Sequence, residues 1–133
     1  MEINIKIIGV ILFLLALAHV IFPKYFKWET ELPNISLINR QMMYVHTFFI
    51  ALTLLLMSLL CLTSANELIE TRLGDRIDLG LGIFWTARLL IQIFGYSSEL
   101  WKGKRKESII HIIFTLLWVY MGVVFFMLYF GMK

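Results

Sequence analysis

The chain reads as an all-α membrane protein, four transmembrane helices in an up-down bundle with both termini on the non-cytoplasmic side. Three observations predict this. Of 133 residues, 60% are apolar and only 16% charged, outside the range of soluble domains. The apolar residues gather in four runs, each near the roughly 17–25 residues that an α-helix needs to cross a hydrocarbon core. The basic residues concentrate in the segments joining the first run to the second and the third to the fourth. A β-barrel does not fit, because it needs many alternating segments of about 10 residues.

The first helix is placed at 3–22, where Lys6 can carry its ammonium group out to the headgroups. Ala16-Leu17-Ala18 resembles a signal-peptide cleavage site, but Glu2 offsets Lys6 in the leading segment. The loop that cleavage would leave outside carries Lys24, Lys27 and Arg40, so the segment is read as a retained span. A longer cytoplasmic loop, 23–41, contains Pro23 and Pro33. Between them Tyr25, Phe26 and Trp28 alternate with Lys24 and Lys27, as in a segment lying at headgroup level. The second helix is placed at 42–63, the third at 79–96 after an outer loop at 64–78, and the fourth at 109–131. The turn at 97–107 has Gly103 at its middle and Trp101 at the interface. Such short connections make spans two, three and four antiparallel neighbours within a single integral membrane domain, 1–133.

Seven basic residues in the two richer loops against four on the other side place both termini outside. The expected location is a membrane of the bacterial inner (plasma) type, crossed several times. The net charge of +3 is then topological. Lys102, Lys104, Arg105 and Lys106 suit anionic lipid headgroups, and no nucleic-acid partner is expected. Cys61 is the single cysteine, so no intramolecular disulfide forms and a packing role is expected. Asn34-Ile35-Ser36 fits the glycosylation pattern but falls in a loop assigned to the cytoplasm. No nucleophile with its base, phosphate loop or CxxC pair occurs.

Polar residues inside the spans are the candidate functional groups, because ionisable side chains in a bilayer are costly to bury. On the fourth span Ser108, His111, Thr115, Trp118 and Gly122 follow at spacings of three and four, one stripe of an α-helix. The third repeats this with Trp85, Arg88, Gln92, Gly95 and Glu99. The second carries Asn39, His46 and Thr53 at intervals of seven, and the first offers His19. The expected arrangement turns these stripes inward, with His19, His46 and His111 near one depth. Arg88 is expected near the midplane, with no Asp or Glu in any apolar run to neutralise it.

Three functions suit such a set. Imidazoles converging on one point can hold a transition metal or haem iron, so His46 and His111, with His19, are candidate ligands for haem b or a metal ion in a redox role. Alternatively, Arg88, Gln92 and Trp118 form a pocket for a small lipophilic anion, in a carrier or a membrane enzyme. A third possibility is an accessory subunit without chemistry of its own, packed in a homo-oligomer or a larger membrane complex.

Overall fold

A computed structural model describes all 133 residues, and it is helical with no strands. Four helical stretches, Glu2–Tyr25, Leu37–Thr63, Arg72–Gly95 and Arg105–Tyr129, are long and apolar enough to cross a membrane. The chain forms two compact units, divided between Ala65 and Asn66. Each is a helical hairpin.

In the first hairpin α1 (Glu2–Tyr25) packs against α3 (Leu37–Thr63). The sequence places α1 to end near 22, yet it continues through Pro23, where only the final turn remains to be disturbed. Lys27 then adopts a left-handed conformation, φ 55°, and the short α2 (Trp28–Glu31) follows. Trp28 is buried and meets Tyr44 of α3 edge to face, with ring centroids 5.3 Å apart. Ser36, the last residue of the glycosylation-like triplet, is the N-cap of α3: its side chain accepts a hydrogen bond from the Asn39 amide. That cap starts the helix five residues before the apolar run, across Asn39, Arg40 and Gln41.

The buried face of α1 is Ile5, Ile8, Gly9, Leu12 and Ala16, and that of α3 is Ala51, Leu54, Ser58 and Cys61. In lipid, apolar burial does not drive helices together, so close packing and hydrogen bonds must do so. Both occur at Gly9. Its carbonyl accepts a 2.6 Å hydrogen bond from the buried Ser58 hydroxyl. A Cβ there would lie 2.7 Å from Leu62 Cγ and 3.2 Å from Cys61 Cβ. Cys61 is a packing residue, as expected.

The second hairpin pairs α5 (Arg72–Leu90) with α6 (Arg105–Tyr129). The stretch expected to be an outer loop, 64–78, is mostly helix: α4 (Ala65–Glu70) and the first two turns of α5. Thr71 makes this possible. Its hydroxyl donates to Glu67 O at 2.7 Å and accepts from the Gly74 amide at 2.9 Å, closing one helix and capping the next. These turns carry Arg72, Asp75, Arg76 and Asp78, so a search for apolar runs passes over them. Asp78 is therefore not a loop residue. It is fully buried, and neither carboxylate oxygen has a hydrogen-bond partner. Farther along, Gly82 packs against the Phe126 ring and Gly122 against Thr86, so small residues mark the closest approach from both sides. The outward surfaces of both hairpins are apolar, with Val20, Phe48, Ile83, Phe94 and Leu116 exposed. That is the distribution lipid requires.

Candidate functional site

The polar stripes of the third and fourth spans meet. α5 ends at Leu90 and gives way to a π-helical turn, Ile91–Gly95, of the kind often found at functional positions. Gly95 closes that turn, where a Cβ would lie 3.0 Å from Ile91 Cγ2. Gln92 lies within it and is buried. Its side chain joins three groups: Arg88 one helical turn earlier, and Trp118 and His111 across on α6.

Hydrogen-bond chemistry fixes the direction of each contact. A guanidinium and an indole N–H can only donate. Arg88 Nη1 and Trp118 Nε1 both reach Gln92 Oε1, each at 3.4 Å. The amide oxygen therefore faces them, and the amide nitrogen faces His111 Nδ1 at 2.8 Å. Since that nitrogen donates, Nδ1 holds a lone pair, and neutral His111 carries its proton on Nε2.

Aromatic rings enclose the network. Trp118 stacks on Trp85 at 5.2 Å with 9° between planes, and Phe114 lies 5.6 Å from Trp118. The Arg88 guanidinium carbon is 5.0 Å from the Trp118 ring centroid and 5.8 Å from that of Tyr96, within range of cation–π attraction. The loop after the π turn supplies one more wall. The Ser108 hydroxyl donates to the Trp101 carbonyl at 2.6 Å, which fastens the loop to the first turn of α6. Trp101 then stacks flat on His111, centroids 3.9 Å apart and planes 10° apart. The sequence marks Trp101 only as an interfacial residue. Its role at the site has no helical spacing to reveal it.

Arg88 has no carboxylate partner. The chain's two ion pairs are Lys6–Glu2 and Lys133–Asp75, both on exposed side chains. One 3.4 Å hydrogen bond leaves four of the five guanidinium N–H groups without a protein acceptor. The helical stretch that carries Arg88 begins at Arg72. Arg88 lies seven residues from the Gly95 end, about 10 Å along the axis.

The other two candidate histidines belong to the first hairpin. His19 is half-buried, and its Nδ1 donates to the Leu15 carbonyl at 2.8 Å, leaving the Nε2 lone pair free. That is the polarity a ligating histidine needs, and His111 has the opposite one, with its lone-pair nitrogen taken by Gln92. His46 is exposed, as are Asn39 and Thr53 on the same stripe, and the Thr53 hydroxyl bonds back to Phe49 O. Within the first hairpin this stripe is not the face that packs on α1. The buried face of α3 runs through Ala51, Leu54, Ser58 and Cys61, roughly a quarter-turn or more away at 3.6 residues per turn. Neither hairpin gathers three His, Cys, Asp or Glu side chains into a metal-holding group. Compared with known proteins, the chain matches no family model, no curated protein and no solved structure.

Proposed function

We propose that this is a four-span protein of a plasma membrane, both termini on the non-cytoplasmic side, whose second hairpin binds the anionic end of a small lipophilic molecule at Arg88. One observation carries the proposal: a guanidinium inside a membrane-spanning helix, held against two aromatic rings, with most of its donors free and no carboxylate to meet them. Burying an arginine inside a span is costly, up to about 2.5–3.5 kcal/mol at the helix centre on the mildest insertion scale. The two rings and the long Gln92 bond offset part of that, but no ion pair or set of carbonyl bonds completes it. The rings of Trp118, Trp85 and Tyr96 suit the apolar part of such a ligand. The excess of lysine and arginine in the 23–41 and 97–107 segments supports the orientation.

Haem or metal ligation asks for a free imidazole lone pair at His111, and the bond from Gln92 occupies it. The anion reading uses the network as it stands. Its test is binding of dodecyl sulfonate to purified protein in phosphatidylcholine nanodiscs. Saturable binding that Arg88→Gln abolishes, with helicity intact, is the expected result. Equal binding by that variant would sink the proposal, as would a wild-type preparation with a Soret band or stoichiometric metal and no sulfonate binding.

A further inference from the structure

The Gln92 amide ties the charge on His111 to the freedom of Arg88. In the arrangement described, its oxygen accepts from Arg88 and Trp118 while its nitrogen donates to His111 Nδ1. An imidazolium carries N–H on both ring nitrogens and accepts nothing. A proton arriving at Nδ1 therefore confronts the amide nitrogen with another donor. The conflict is relieved when the amide turns over, presenting its oxygen to His111. The amide nitrogen then faces Arg88 and Trp118, which are donors too, so both of those bonds are lost.

We propose that protonation of His111 flips Gln92 and releases the Arg88 guanidinium, so the site takes up a proton together with its anion. This rests on the anion site proposed above and deepens it. Such a site adds no net charge to the membrane interior when filled, and its ligand class is a lipophilic acid or an acidic lipid headgroup. Binding energies are reciprocal: if the proton favours the anion, the anion favours the proton. Affinity for a permanently charged anion must rise as pH falls.

The charged and titratable groups on the elements packed at this end are few. α5 and its π turn bring Arg88 and Tyr96. The loop brings Glu99 and Lys102 on either side of Trp101, and α6 opens with Arg105, Lys106 and Glu107 after Lys104. Of these, only Arg88 bonds to Gln92. Trp101 covers one face of the His111 ring, so its neutral indole, not a carboxylate, lies against it.

Two measurements test the proposal. Nitrogen-15 NMR of histidine-labelled protein at about pH 8 should show His111 protonated on Nε2, with the lone pair on Nδ1. An Nδ1–H tautomer would overturn the mechanism without reference to any ligand. Dodecyl sulfonate binding is then compared at about pH 8 and about pH 5.5, the range across which histidines ordinarily change charge. The wild type should bind roughly fivefold or more tightly at the lower pH, the lower end of ordinary coupling. His111→Gln retains an acceptor for the Gln92 amide but has no proton to gain, so its affinity should be flat with pH. If wild-type binding depends on Arg88 yet is also flat, the anion site stands and the coupling is wrong. If His111→Gln keeps the full pH dependence, the coupling is likewise wrong. No sulfonate binding at either pH removes both. Repeating the titration in discs containing phosphatidylglycerol separates the ligand sources: competition identifies a lipid headgroup, and unchanged binding a free acid.

Discussion

Two glycines six residues apart on α5 should respond to the same substitution with opposite sign. A Cβ at Gly74 would lie 2.3 Å from Glu67 O, 2.5 Å from Leu68 O and 2.8 Å from Leu68 C, all backbone atoms of α4. No rotamer change relieves that, so Gly74→Ala must open a gap of about 1 Å between the end of α4 and the start of α5. Overpacking of this kind costs about 1–3 kcal/mol. The Thr71 hydroxyl bridges the same two segments at 2.7 and 2.9 Å, so loosening the cap adds about 1 kcal/mol. Alanine's better helix propensity returns up to about 1 kcal/mol. The net expectation is a loss of about 1–3 kcal/mol. At Gly80 a Cβ meets nothing within 4 Å, so the propensity term acts alone and Gly80→Ala should gain about 0.5–1 kcal/mol. Both are read from sodium dodecyl sulfate unfolding titrations in mixed micelles, followed by circular dichroism. A Gly74→Ala protein as stable as the wild type would refute the backbone contact between α4 and α5.

Three further experiments probe the polar groups inside the hairpins. Ser58→Ala removes the hydroxyl that joins α3 to the Gly9 carbonyl and should cost about 0.6–1.7 kcal/mol in the same titration; no loss would mean the two helices are held by packing alone. Gln92→Leu combined with His111→Phe in a double-mutant cycle should give a coupling of similar size, and a coupling near zero would show the 2.8 Å bond is not formed in the membrane. Asp78→Leu replaces a buried carboxylate that has no partner with an apolar side chain and removes an unmet polar group, so stability should rise by about 1–3 kcal/mol, whereas a fall would reveal an acceptor role for that side chain.

The number of helices long and apolar enough to cross a membrane was legible because hydropathy measures what lipid selects. Their ends were not, since Thr71 and Ser36 set them by capping and extend α5 and α3 over polar residues. The site was half legible. Spacings of three and four on the third and fourth spans do place Arg88, Gln92, His111 and Trp118 together, because both helices use those stripes to pack on each other. On the second span the polar spacing marks His46, whereas α3 packs on α1 through Ala51 and Ser58, which hydropathy ranks as unremarkable. Asp78 went unnoticed for the opposite reason, as a charged residue near a span end that burial, not spacing, makes unusual. Nothing in the spacing could foretell Trp101 on His111, which depends on a loop conformation.

The dependence of α5 on α6 has a consequence during synthesis. α5 and the π turn that ends it carry Arg88 and Gln92, and the groups that receive them on α6, Trp118 and His111, are translated roughly twenty to thirty residues later. Leaving the translocation channel alone, α5 would bring an arginine into lipid, at a cost of up to about 2.5–3.5 kcal/mol, with its only aid on its own helix. It is better retained beside the channel until α6 emerges, and the two then enter the bilayer as a pair. Chains halted before residue 105 should accordingly show α5 poorly inserted in a glycosylation-reporter assay, and full insertion of such a chain would show that the third helix needs no escort.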